Sequence, residues 1–387
     1  MKRSMMVSSF LLAGLAGSHA VAEPMEIALL QEAIFSGKTF LDLRLRAEYV
    51  DFETTPETDA ETLRTVLGYR TGDYKGFKYF IEFENVSTLG NGDYNSTVNG
   101  KTQFGTIADP ALTQLNQSYL EGYGVKLGRQ KIIYDNARFV GDVGWRQNDQ
   151  VFDAVSYSNS KLVKDLSLNA AYLTRVHNIV GVTRVVDAPM LNVKYSAFPQ
   201  AKVGAFYYAV DEKSAPAASW EHMGLRVDGV IGSFLYELSY ADQQDYKDGT
   251  TPDASYTDIQ LGYKFGPVTV KVQQETLEPG FKTPLATAHA FHGWADRFLA
   301  TPANGLVDTN VKLSAKFGDY TVALAAHDFQ SETASQDFGQ EVDFSVARPL
   351  TSKVNALLKV ASFNADGSVP GFLNDTTKVW LQFAYKM

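Results

Sequence analysis

Arginines recur at alternate positions near the start of this chain. Arg44 and Arg46 lie in LDLRLRAEYV, Arg64 and Arg70 in TLRTVLGYR, and Glu82 and Glu84 follow in FIEFEN. A guanidinium stays charged at every relevant pH and grips a carboxylate through two parallel hydrogen bonds. Several along one path pass a carboxylated solute from hold to hold without a deep trap, and nearby glutamates keep release fast. That is the chemistry of selective passage. The competing structural reading is a ladder of charges that satisfy one another across strands and stiffen a wall.

Other chemistries find little support. Five histidines lie beyond residue 22: His177, His222, His289, His292 and His327. His289 and His292 form an H-x-x-H pair beside Phe291 and Trp294, but without the glutamate of a zinc protease they make a weak metal motif. There is no G-x-S-x-G sequence, no persuasive Ser/His pairing and no Gly-rich phosphate loop. No cofactor is implied, and the chain is not expected to be an enzyme. The absence of cysteine excludes an exported domain held by disulfides. Carboxylates gather at Asp51–Glu61 and again at Asp242–Asp253. They could bridge through divalent cations to lipopolysaccharide phosphates, although no run has calcium-loop spacing and a hydrated surface is the simpler account. The formal net charge is −9, or −11 without Lys2 and Arg3, which argues against nucleic acid as a partner.

The elements that must position these residues are strands. Leu41, Leu43, Leu45, Ala47 and Tyr49 alternate with Asp42, Arg44, Arg46 and Glu48, and similar two-residue alternation continues to the last residue. Short gaps at 72–76, 121–124, 158–164, 199–200, 228–231, 266–267, 318–319 and 348–352 alternate with long ones such as 86–113, 131–148 and 279–306. Tight turns at one end and long loops at the other are what an outer-membrane β-barrel requires. Aromatics such as Tyr49, Tyr69, Phe77, Tyr263, Phe317 and Tyr320 cap the apolar faces, as at membrane interfaces. The expected fold is all-β: a transmembrane antiparallel barrel of about 18 strands, with 16 as the alternative count.

The N-terminus has the pattern of a secretory signal: Lys2 and Arg3, the apolar stretch Val7–Gly17, and the small pair Ala20 and Ala22. The expected divisions are a signal peptide over 1–22, a short segment over 23–37 and one barrel domain over 38–387. No later stretch is long and apolar enough for a spanning helix. The implied location is the bacterial outer membrane, with its phospholipid and lipopolysaccharide as surroundings. No pattern specifies an oligomeric state.

With these strand phases, seventeen basic side chains face inward: Arg44, Arg46, Arg64, Arg70, Lys78, Lys126, Arg175, Lys194, Lys202, Arg226, Lys264, Lys271, Lys312, Lys316, Lys359, Lys378 and Lys386. Ten acidic ones accompany them: Asp42, Glu48, Glu82, Glu84, Glu237, Asp258, Glu275, Asp308, Glu341 and Asp343. The wall is therefore net basic and the remainder acidic. Fixed charges in a narrow low-dielectric pore focus their field on a passing ion, so the expectation is a lumen that favours anions.

Several segments together resemble the alginate-export family of outer-membrane porins. They are LRLRAEYVD at 43–51, TLRTVLGYRTG at 62–72, FEN…LGNGDYNSTVNGKT at 83–102 and IADP…LNQSYL at 107–120. The longer LGRQKIIYDNARFVGDVGWRQNDQVFDAVS at 127–156 and ATAHAFHGWADRFLATPANGL at 286–306 are the more specific. The resemblance implies an 18-stranded barrel with an arginine-rich path for an acidic polysaccharide. It places Arg129, Arg138 and Arg146 on that path beside Arg44, Arg46, Arg64 and Arg70. The turn at 348–352 is too brief for the long periplasmic lid of the exporter. The first functional expectation is therefore passive diffusion of small anionic or carboxylated solutes, uronate oligomers among them. Export of a polysaccharide such as alginate is the alternative, and a barrel enzyme acting on lipid is the second. The segment 131–148, with Tyr134, Arg138, Trp145 and Arg146, is expected to fold into the lumen.

Overall fold

The computed structural model describes residues 24–387. The signal segment expected over 1–22 lies outside the described residues. A helix, α1 (Pro24–Phe35), precedes eighteen strands. These are β1 (Lys38–Phe52), β2 (Thr58–Arg70), β3 (Phe77–Thr88), β4 (Leu112–Gly122), β5 (Val125–Gln130), β6 (Val151–Asn159), β7 (Leu166–His177), β8 (Thr183–Phe198) and β9 (Ala201–Glu212). They continue as β10 (Trp220–Ile231), β11 (Phe234–Asp245), β12 (Ala254–Phe265), β13 (Val268–Leu277), β14 (Leu306–Phe317), β15 (Tyr320–Gln330), β16 (Asp337–Pro349), β17 (Val354–Ala365) and β18 (Thr376–Lys386).

Each strand pairs antiparallel with its neighbours in sequence, and β1 pairs with both β2 and β18, so the sheet closes on itself. Closure satisfies every strand edge, the condition for a sheet to sit in hydrocarbon. At the junction Arg46 stands opposite Thr62 on one side and Gln382 on the other. The faces follow the two-residue period. In β1, Val50, Glu48 and Arg46 are buried toward the lumen while Leu45 is exposed outward. Leu67, Phe83, Leu127 and Val155 continue the exposed apolar outer surface.

Short turns lie at the end holding both chain termini of the barrel, and long loops at the other. One turn falls elsewhere than the sequence suggests. The gap expected at 228–231 lies within a strand: β10 runs through it to Ile231, and the reversal occurs at Gly232, whose φ of 62° suits a residue without Cβ. Of several register irregularities, two bear on the candidate residues. Between β6 and β7, Asp153 pairs with Arg175 but Ala154 pairs with Leu173, leaving Thr174 as the extra residue. Between β3 and β4, Glu82 pairs with Gln117 and Phe83 with Leu115, which turns Asn116 inward, where it is fully buried.

β5 has six residues and β6 nine, whereas a tilted spanning strand needs about 9–11. The wall is therefore low there, and the chain between them, residues 131–150, turns into the barrel. It meets residues 278–305, also folded inward, through a parallel bridge between Val140 and Leu285. These two loops form the core of the molecule. Phe139 packs against Phe206, His222, Tyr256 and Phe281, joining both loops to the β9–β12 wall.

Candidate functional site

The lumen is the candidate site, and the 131–150 loop defines its loop-side half. Arg138 at one end of the loop donates to the Glu275 carboxylate on β13 at 2.5 Å and to Thr283 at 3.1 Å. Arg146 near the other end reaches Glu48 on β1 at 3.2 Å and Asp296 of the 278–305 loop at 2.6 Å. The loop thus spans the barrel between opposite stretches of wall. Its last turn is fixed as firmly. The Gln147 amide donates to Asp109, the Gln147 side chain to Thr62, and Asn148 to the Pro110 carbonyl. Asp149 accepts from Arg64 at 2.6 Å and pairs with Lys131 at 2.5 Å. Despite burial, these two cations hold the Asp149 carboxyl below its usual range, and Asp149 and Asp142 in turn hold the Lys131 ammonium above its own.

The arginines singled out from sequence divide into three groups. Arg46, Arg64, Arg138 and Arg146 face the lumen but are almost fully buried and ion-paired. Buried charges persist only when paired and hydrogen-bonded, and these four are the loop's tethers. Glu82 and Glu84 are buried with them. Glu84 accepts from Arg64, Gln114 and the Asp149 amide, and Glu82 from Asn116 and Gln117, so neither stands free to temper a solute. Arg44, Arg70 and Arg226 face the lumen and keep some access. Arg44 spends one nitrogen on the carbonyls of residues 144–146, Arg70 is half exposed near Tyr119 and Glu121, and Arg226 pairs with Glu237 at 2.8 Å.

Arg129 and Arg175 are corrections to a lumenal placement: both face outward. Arg129 shares its row with the exposed Leu127 and pairs with Asp153 at 2.8 Å. It also donates to the Leu115 carbonyl at 3.1 Å, on the stretch of β4 beyond the reach of short β5. Its guanidinium stands in for missing strand. Arg175 would face inward by simple alternation, but the extra residue Thr174 flips it.

The second inward loop carries a cation cage. Lys359 on β17 lies 4.0 Å from the Trp145 ring centre, 3.7 Å from that of Trp294 and 5.5 Å from that of Trp380, with its Nζ 2.7 Å from His289 Nε2. His289 stacks on Trp145 at 4.6 Å and shares a hydrogen bond with Asp296 at 2.6 Å. Burial pushes the His289 pKa down to about 3, with the Asp296 carboxylate opposing and the Lys359 ammonium assisting. His292 turns elsewhere, to Glu275 at 2.9 Å and Arg138. The H-x-x-H pair therefore serves two different contacts, and among the described residues no cluster has metal-holding geometry.

The other half of the lumen, toward the short turns, is open and basic. Arg70, Lys78, Lys126, Lys202, Lys264, Lys271, Lys312, Lys316 and Lys386 point into it with accessible side chains. Asp42, Glu121, Asp228 and Glu237 are the acids among them. Several cavities mark this region. One of about 370 Å³ is lined by Lys202, Asp228, Glu237 and Lys271, and one of about 270 Å³ by Asp42, Arg44, Arg64 and Lys386 beneath the 131–150 loop. The lysines appear in the inward count from sequence, but nothing local separates them from the buried arginines. Glu121 and Asp228, which open the expected gaps 121–124 and 228–231, are absent from that count.

No protein-family model matches the chain, and no curated protein matches it. The resemblance to alginate exporters is therefore not supported. Solved structures do match. OccK3 (OpdO) of Pseudomonas aeruginosa aligns over 94% of this chain and 99% of its own, with 12% identity and a TM-score of 0.69. OccAB2 of Acinetobacter baumannii aligns over 92% and 99%, with 14% identity and a TM-score of 0.71. The outer membrane protein opdK of Pseudomonas aeruginosa aligns over 90% and 98%, with 13% identity and a TM-score of 0.65. The likeness is one of fold: a closed 18-stranded antiparallel β-barrel.

Proposed function

We propose that this barrel is a passive outer-membrane channel that favours small anionic solutes, carboxylates among them. The observation that carries this reading is the accessible half of the lumen, where basic side chains outnumber acidic ones. The arginines nearer the loops are neutralised by partners and contribute little net field. Low-dielectric walls focus the remaining positive charge on the permeating ion. Lysines on flexible stems can follow a solute and release it, whereas a fixed, buried guanidinium cannot. Export of an acidic polysaccharide fits less well, because the 131–150 and 278–305 loops meet inside the barrel. A lipid-acting enzyme also fits less well. None of the five histidines, all among the described residues, is hydrogen-bonded to a serine.

The test is the reversal potential of the purified protein in a planar bilayer under a salt gradient. The expected sign is that of anion selectivity, and uronate dimers should reduce the current. Cation selectivity would overturn the solute class, and absence of conductance would overturn the channel.

A further inference from the structure

We infer that α1 is an interfacial anchor, lying in the periplasmic leaflet of the outer membrane with its apolar side chains among phospholipid acyl chains. This rests on reading the barrel as an outer-membrane one, with its short turns on the periplasmic side.

The helix PMEIALLQEAIF has three polar side chains, Glu26, Gln31 and Glu32, and no basic one. Met25, Ile27, Leu29, Leu30, Ile34 and Phe35 are all at least 44% exposed. Ala33 is the buried residue on it. So much apolar surface on one short helix is unfavourable in water and needs a cover. At 12 residues the helix is about 18 Å long and too short to span a bilayer.

Where the helix is tied decides what covers it. The Gly72 amide donates to the Ala33 carbonyl at 2.7 Å, and Lys75 pairs with Glu26 at 2.5 Å, both from the β2–β3 turn. The Tyr69 hydroxyl donates to the Ile34 carbonyl. Tyr69 belongs to the outward row of β2, with the exposed Leu67, and its Gly68 neighbour turns inward against Phe40. Lys38 and Arg70, which point into the lumen beside this junction, make no hydrogen bond to the helix. The helix is therefore held at the outer rim, continuous with the lipid-facing aromatics Tyr69, Phe77 and Tyr79. Without basic residues it has no call for an anionic surface, so acyl chains of zwitterionic phospholipid suffice.

The chain has no cysteine, so single-cysteine labels are clean. Leu30→Cys is labelled with an environment-sensitive fluorophore in the full barrel, reconstituted in phosphatidylcholine vesicles with brominated acyl chains. Leu238→Cys, on the outward face of β11, is the lipid-facing reference. Heat-dependent gel migration checks that both variants are folded. The expected result is a blue-shifted Leu30 label that loses intensity to brominated lipid to the same extent as the Leu238 label and resists aqueous iodide. Quenching by iodide without quenching by brominated lipid would overturn the anchor while leaving the barrel intact. Shielding from both quenchers, with cross-linking between copies, would assign the face to a second chain and equally overturn it. Failure of both labels to sense brominated lipid would bring down the barrel reading itself.

Discussion

Arg146→Ala isolates the mechanism that keeps the 131–150 loop inside the barrel. Arg146 joins Glu48 on β1 to Asp296 on the other inward loop, and it lies 3.9 Å from Asp109. After truncation Asp296 keeps Lys378 at 3.1 Å and His289, and Asp109 keeps Arg46 at 3.5 Å. Glu48, which is 1% exposed, has no other ion-pair partner among the described residues. The cost therefore falls on one buried carboxylate, about 3–5 kcal/mol for breaking such a pair. Undocking the loop admits water to Glu48 and relieves it. At about 1.4 kcal/mol per tenfold, the docked-to-undocked ratio drops by roughly a hundredfold to several thousandfold. Single-channel recording should show a larger and noisier conductance than the wild type, in protein whose heat-dependent gel migration is unchanged. The double variant Glu48→Gln/Arg146→Met leaves no stranded charge and should return most of the quiet behaviour. A folded Arg146→Ala channel with wild-type conductance would refute the tether. So would a double variant as noisy as the single one.

Three further outcomes follow from the same geometry. Replacing Lys202, Lys271 and Lys312 together by glutamate should move the reversal potential toward cations. The shift should shrink near 1 M salt, where the Debye length is about 3 Å, and a salt-independent shift would argue against a field effect. Arg129→Ala should lower thermal stability by about 1–3 kcal/mol, because it strands the Leu115 carbonyl on the outer wall and leaves Asp153 only His177 and the more distant Arg175, while leaving ion selectivity as in the wild type. Altered selectivity there would mean the side chain faces the lumen after all. The docked loops hold His289 neutral, with a pKa of about 3 against an ordinary 6.5, between Trp145, Trp380, Lys359, Arg146 and Asp296. The undocked imidazole binds a proton that the docked one refuses. The contribution of His289 to docking is thus fully present above about pH 6.5 and is lost as pH falls toward 3. Channel current should become noisier across that window, and His289→Asn should flatten the response. A current indifferent to pH between 7 and 4 would contradict this.

The strand count and the alternation of turn and loop were legible in the chain, because each is a local property, whereas closure joins β1 to β18 across the whole sequence and was expected only from the class of barrel. Two-residue alternation assigns a face wherever the strand is regular, as for Arg44 to Val50, and tight turns such as Gly266–Pro267 announce themselves. An inward turn was legible too over 131–148, from its length and its aromatic and basic content, and the structure extends it to residue 150. Tertiary structure decided the rest. A single extra residue at Thr174 reversed Arg175, and no local pattern marks a bulge of that kind. The lumenal arginines were identified as a group, but which are free depends on carboxylates from remote segments: Glu48 for Arg146, Glu275 for Arg138, Asp149 for Arg64. Those partners meet only when the barrel closes and two loops fold into it. Closure turned Arg46 and Arg64 from a path into a scaffold and left the open lumen mainly to lysines that their sequence neighbours do not distinguish.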